Sequence, residues 1–279
     1  MTIGSGFFVS AEGHILTNYS LVTGMDKVLV EYQKDLEFPA ELIGLDMYSN
    51  IALLKVDTFP KSATFIQCQP KDHTLPKIGM MAMAITCPLQ FAPSPTDPGL
   101  VTGHEGVIGS RPFPTPILRT SINSHPGDSG SPLFSLDGQF LGINVASIKE
   151  IEATCVFPAR ATNRIYLDLK DDGKVQYGTI GLRVTQRSHP MKGTRLSVKE
   201  AIPGKSAAGA GILKDDLILA SQWGEIQTLG DLQRAIFFTP IGQSLLLKVN
   251  RGDKVVDIPV TVEKLVPVVS GKTAPTPGS

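Results

Sequence analysis

The chain has 279 residues, with 26 Lys and Arg against 26 Asp and Glu, so its formal charge is zero. That balance excludes the basic surplus on which binding to nucleic acid or an anionic membrane depends. A hydrophobic content of 42% with 19% charged residues excludes a disordered chain, and no apolar run approaches the roughly 18 residues that span a bilayer.

Two domains are expected at this length, and 27 Gly with 21 Pro predict short strands separated by many turns. Residues 7–9 and 14–17 flank Ala11-Glu12-Gly13 and predict a hairpin. Strands follow over 27–32, 40–45, 51–56 and 80–85. Residues 91–99 are rich in proline, which cannot donate to a ladder, and predict an exposed loop. Residues 132–135 and 139–145 flank Leu136-Asp137-Gly138 as a second hairpin, and 161–169 read as a short helix before the polar link 170–174. Beyond the link, 179–184, 196–201 and 217–220 predict strands, 206–210 and 229–238 helices, and 244–250 with 255–262 a hairpin. That order fits a β-sandwich of about 90 residues capped by two helices. Residues 266–279, rich in Pro, Gly, Ser and Thr, predict a disordered tail.

Cys68, Cys87 and Cys155 have no CxxC spacing, so neither zinc nor a disulfide framework is legible. Three buried thiols, or one bridge from Cys68 to Cys87 or Cys155, both fit. No His/Cys/carboxylate cluster has ligand spacing and no Gly-rich phosphate loop follows a strand, so no metal or cofactor is implied. The opening MTIGSGFFVS has neither a basic n-region nor an apolar h-region, as in a cytoplasmic protein or a trimmed one.

Gly127-Asp128-Ser129-Gly130 carries the chemistry. A serine nucleophile needs a tight, glycine-flanked turn whose backbone N–H groups converge on the developing oxyanion, here those of Gly127 and Ser129. Alone, the same four residues also make an ordinary polar turn.

Their context resembles the HtrA/Deg family of chymotrypsin-fold serine proteases. GSGFFVSAEGHILTN, LDMYSNIALLKVD and PGDSGSPLFSLDGQFLGIN occur in that family's order. The resemblance runs from Gly4 to about Leu265. It implies a mainly β fold, with a trypsin-like double β-barrel over 1–172 (its first strand in doubt at this N-terminus) followed by a PDZ domain over 178–265. The family's histidine falls on Ser20 and its aspartate on Asn50, and only the nucleophile is kept, as Ser129. The family's next glycine is Ser131 here.

A serine hydroxyl is a poor nucleophile near neutral pH without a positioned base. In serine proteases, Asp→Asn in the triad costs about 10⁴ in kcat and loss of the histidine about 10⁶. The expectation is therefore a pseudoprotease, although the enzyme class stays open. His125, four residues before Ser129, is the nearest histidine in sequence, and His14 reads as a packing residue.

In the second half, Thr179-Ile180-Gly181-Leu182 matches the family's carboxylate-binding loop, so a peptide would add along the edge after Leu182, facing the helix at 229–238. Residues 203–217 resemble a family run with Asp215 where glycine is usual, and Arg251-Gly252-Asp253 reads as a hairpin turn rather than an adhesion signal. The resemblance implies peptide C-termini or unfolded segments as partners, a scaffold or chaperone role in protein quality control, and an extracytoplasmic home; it leaves the oligomer open. The alternatives are an unconventional serine endopeptidase using Ser129, and a purely structural module.

Overall fold

The apolar run β5 (Ile51–Val56), with five of its six residues buried, forms the middle of the first sheet in a computed structural model. The structure describes residues 2–32, 36–61, 63–69, 74–87, 92–108, 111–189 and 193–265. Around β5 stand β1 (Phe7–Phe8), β2 (His14–Asn18), β3 (Val28–Glu31) and β4 (Glu37–Asp46), in the order β1-β2-β5-β4-β3. Both edges of this sheet feed one core. Phe8 of β1 packs with Ile15, Ala52, Leu54 and Val56, and Val28 and Val30 of β3 lie against the same cluster. The sheet therefore curls round its own apolar face. A single turn of helix, α1 (Tyr19–Val22), follows β2 and has no periodicity in the sequence long enough to announce it.

The second sheet contains β6 (Met81–Thr86), β7 (Ser94–Pro95), β8 (Gly99–Ile108), β9 (Arg111–Thr120), β10 (Pro132–Ser135), β11 (Phe140–Ile148) and β12 (Ala153–Pro158). Its order is β10-β11-β12-β9-β8-β6-β7, and β10 also pairs with β6, with Leu133 opposite Ala84, so six strands close into a barrel. Ala82, Ala84, Leu118, Ile122, Leu133, Leu141 and Val156 fill part of its core.

The expected 91–99 loop is corrected here: Ser94–Pro95 pairs with Ile85–Thr86. Proline is tolerated because β7 is an edge strand. The long β8–β9 hairpin was hidden in the sequence by Pro112, Pro114 and Pro116. Prolines two apart leave one edge of the strand without N–H donors, and among the described residues β12 pairs with β9 only at Leu118–Thr120. The helix α2 (Ala159–Asp172) extends the expected 161–169 at both ends, so the first three residues of the predicted polar link belong to it. Cys68, Cys87 and Cys155 are all free, so no bridge forms. Burial pushes the Cys68 thiol up to about 12 and that of Cys155 to about 11, which keeps both protonated and unreactive at neutral pH.

The chain forms two compact units that part between Val175 and Gln176, except that Leu229–Arg234 group with the first. The second unit has β13 (Gly178–Thr179), β14 (Leu182–His189), β15 (Gly193–Ala201), α3 (Ser206–Gly209), β16 (Leu217–Ser221), β17 (Gly224–Glu225), the end of α4 (Leu229–Phe238) from Ala235 on, β18 (Ser244–Arg251), β19 (Lys254–Thr261) and β20 (Glu263–Lys264). Its main sheet runs β14-β15-β16-β18-β19, with β17 on β16, and β13 pairs with β20 as a separate ribbon. The expected 179–184 strand is thus two strands. Gly181, at φ 71°, turns the chain between them, and an added Cβ would lie 2.2 Å from the Lys205 side chain. No helix among the described residues is long and apolar enough to cross a membrane.

Arg251, the first residue of the Arg-Gly-Asp turn, is held within this unit. Its Nε and Nη2 donate to Asp216 at 2.8 and 2.7 Å, and Nη2 donates to the Gly211 carbonyl at 2.7 Å. Burial alone would raise the Asp216 carboxyl, but the Arg251 bonds and the Leu213 N–H outweigh it and hold it below the ordinary value. A depressed carboxylate stabilises the fold above its unfolded value of about 3.9 and loses that contribution as pH falls through the folded value. Asp216→Asn is expected to lower the Tm of the second unit clearly at pH 7 and progressively less below about pH 4, followed by scanning calorimetry of the full chain. An equal effect at both pH values would contradict this account of the pair.

Candidate active site and peptide groove

Three separate elements carry the positions that the resemblance singles out. Ser20 lies in α1 and is exposed, Asn50 ends the turn before β5 and is buried, and Ser129 is half-buried in the turn before β10. The structure joins the first two directly. The Ser20 N–H donates to Asn50 Oδ1 at 3.1 Å and the Tyr19 N–H to the Asn50 carbonyl at 3.0 Å. Asn50 Nδ2 donates in turn to the Val145 carbonyl of β11 at 2.8 Å. Asn50 has φ 60°, a left-handed conformation that asparagine accepts more readily than most residues. Its amide therefore ties α1 to the barrel, using a donor that an aspartate would lack.

The neighbouring residue Asn144 carries the tie onward to the nucleophile turn. The Gly130 N–H donates to the Asn144 carbonyl at 3.0 Å, the Asn144 N–H to the Ser131 carbonyl at 2.8 Å, and Asn144 Nδ2 to the Asp128 carbonyl at 3.1 Å. The N-terminal segment closes the other side. The Ser5 N–H donates to the Ser129 carbonyl at 2.8 Å and Ser5 Oγ to the Gly127 carbonyl at 2.7 Å. Gly130, at φ 87°, has no room for a side chain, because a Cβ would stand 2.3 Å from the Ser5 carbonyl oxygen. Ser5, Asn144 and the absence of a Cβ at Gly130 thus fix the turn's shape, and the role of Ser5 had no signal in the sequence beyond its place in GSGF.

Neither the Gly127 nor the Ser129 N–H donates a hydrogen bond within the described residues. Both are available to an incoming oxygen, as an oxyanion hole requires. The Ser129 hydroxyl likewise has no hydrogen-bond partner among the described residues, and neither does that of Ser20. Asn18 Oδ1, Asp128 Oδ1 and Ser131 Oγ are buried without a partner among the described residues.

The histidines lie elsewhere. His125 presents Nδ1 to Asp128 Oδ2 at 3.6 Å, and its N–H donates to the same oxygen at 2.7 Å, so its ring serves its own turn. His14 is buried, pairs Nδ1 with Ser10 Oγ at 2.8 Å and packs edge-on against Tyr166, the packing role expected of it. His104 Nε2 meets the Pro76 carbonyl at 2.8 Å. His73 lies outside the described residues, as does the His189 side chain.

In the second unit, Thr179 ends β13, Ile180 is buried, and Leu182 opens β14. The loop between them is braced from inside: the Gly181 N–H donates to Thr179 Oγ1 at 3.2 Å, and the Ile202 N–H to the Gly181 carbonyl at 2.9 Å. Among the described residues strand β14 pairs only with β15, which leaves its outer edge for a further strand. Among the described residues no group of three or more His, Cys, Asp or Glu could hold a metal ion.

A closed six-stranded barrel with a Gly-Asp-Ser-Gly turn, tied through Asn50 to the helix that carries Ser20 beside a second sheet, is the arrangement of a trypsin-like peptidase. The chain belongs to the family of the trypsin-like peptidase domain, whose model matches residues 4–143, and a PDZ domain matches 178–262. Along nearly its whole length it is similar to DegP-like proteins. A probable periplasmic serine endoprotease DegP-like of Chlamydia pneumoniae is 28% identical over 272 residues, 94% of this chain and 55% of that protein. The protein of the same description from Hahella chejuensis is 29% identical over 290 residues, 98% of this chain and 61% of that one. The chain thus spans little more than half the length of these curated relatives. The HtrA-type protease AlgW with a tripeptide superposes with a TM-score of 0.74 at 23% identity, covering 95% of this chain and 90% of that one. The serine endoprotease from Yersinia pestis gives 0.62 at 25% identity, covering 95% and 90%.

Proposed function

We propose that this chain is a proteolytically inactive HtrA-like protein that binds peptide C-termini or unfolded segments as a scaffold or chaperone. The observation that carries the reading is that Ser20, bonded through its N–H to Asn50, offers only a hydroxyl at the position where the family resemblance expects an imidazole. A hydroxyl does not accept and hold a proton near pH 7, and Asn50 has no imidazole to orient. What remains is an oxyanion turn and a binding surface, worth roughly 10³–10⁴ over water, too little for a working protease. The open β14 edge beside Thr179-Ile180-Gly181-Leu182 supports peptide binding by strand addition. The peptide seated in a similar HtrA-type structure and the periplasmic naming of the relatives agree with peptide partners and an extracytoplasmic home.

The test is incubation of the full chain with an aggregating unfolded client such as reduced lactalbumin. The expected result is suppressed light scattering with the client still intact on a gel. Fragmented client, or aggregation unaffected by excess protein, overturns the reading.

A further inference from the structure

The peptide reading leaves the ligand's chemistry open, and the charge on β14 and β15 narrows it. The two strands hold Arg183, Arg187, Arg195 and Lys199 against a single carboxylate, Glu200. Side chains alternate along β14. Val184 and Gln186 stand opposite Val198 and Leu196, both buried, so this is the core face. Arg183, Thr185 and Arg187 share the other face, and the two arginine side chains are 68% and 58% exposed.

Their existing partners are weak ones. Arg183 meets Glu200 at 3.0 Å and Arg187 meets Asp215 at 3.4 Å, with both carboxylates about half exposed. Exposed pairs of this kind contribute little, and a guanidinium has donors left for a second carboxylate. Arg195 stands directly opposite Arg187 across the ladder, and no ion pair engages it among the described residues. Like charges facing each other across strands repel. Lys199, the extra residue of the bulge between the two strands, is exposed and also unpaired by any described carboxylate.

We propose that the peptide strand this edge accepts is acidic, with carboxylate side chains beside Arg183 and Arg187. The proposal rests on the strand-addition reading of β14 given above. With its C-terminal residue beside Leu182, next to the carboxylate loop, the added strand runs antiparallel to β14. Its penultimate residue then lies beside Arg183, and the residue four before that lies beside Arg187. Both project onto the arginine face, because side chains four apart in a strand point the same way.

The test uses fluorescein-labelled decapeptides with a free aliphatic C-terminus, titrated against the full chain by anisotropy. One peptide carries Glu at those two positions, a second Gln and a third Lys. The Glu peptide is expected to bind about three- to tenfold tighter than the Gln peptide, and the Lys peptide weakest. Salt near 0.5 M shrinks that difference, because the Debye length falls to about 4 Å. Arg183→Gln with Arg187→Gln, both at exposed positions, removes the preference, so that the Glu and Gln peptides bind the double variant with equal affinity. Equal binding of the Glu and Gln peptides to the unmodified chain overturns this inference alone. Failure of all three peptides to bind overturns the groove reading and this inference together.

Discussion

Ser20→His combined with Asn50→Asp is expected to create casein cleavage that depends on Ser129. The gain runs to several orders of magnitude, up to about 10⁶, because losing a triad histidine costs that much in serine proteases. The structure favours the pair for a specific reason. Position 20 already presents its backbone N–H to the side chain of residue 50, and the Gly127 and Ser129 N–H groups have no described partner. Ser20→His alone is expected to recover only about 10², since an asparagine in place of the triad aspartate costs about 10⁴. Turnover is read as new N-termini from casein, with and without Ser129→Ala in the same background. A folded but silent double variant would contradict an intact oxyanion turn and place a further loss at Ser131, the position of the family's next glycine.

Asn50→Asp by itself is expected to destabilise the first unit by about 2–3 kcal/mol at pH 7 and to restore no cleavage. Asn50 Nδ2 donates to the Val145 carbonyl at 2.8 Å, and the substitution sets a buried carboxylate oxygen against that carbonyl oxygen. Two acceptors then face each other without a proton between them. A protonated carboxyl can donate to Val145, so the new group's folded pKa lies above its unfolded one. Stability is consequently kept below about pH 4 and lost as pH rises through the folded value. Urea unfolding of the first unit at pH 4 and pH 7 reads this directly. A variant as stable as the parent at pH 7 would show that the amide tie carries no weight.

That tie also marks where sequence reasoning stopped. The positions of Ser20, Asn50 and Ser129 were legible because each sits in a motif with fixed spacing: TNYS, YSNIALLK and GDSG. What Asn50 does was not legible, since its partner Val145 lies 95 residues away on another strand. The same holds for Ser5, whose hydroxyl and N–H brace Gly127 and Ser129 from over 120 residues away. Strands with clean apolar patterning, such as β5 and β18, were plain. Strand β9 was not, because Pro112, Pro114 and Pro116 signal a loop until the free edge beside them is known. Strand β12, buried along its whole length, gives a continuous ATCVFP run with no alternation to count. In the second unit, Arg251 looked like part of a surface turn, and its bonds to Asp216 and Gly211 depend on chain that is 35 to 40 residues distant.

Unfolded casein incubated with the unmodified chain and with its Ser129→Ala variant decides whether Ser129 cleaves peptide bonds. The same negligible appearance of new N-termini is expected in both, at pH values from about 6 to 9, where a histidine or a lysine base would declare itself. Cleavage by the unmodified chain that disappears with Ser129→Ala would contradict proteolytic inactivity.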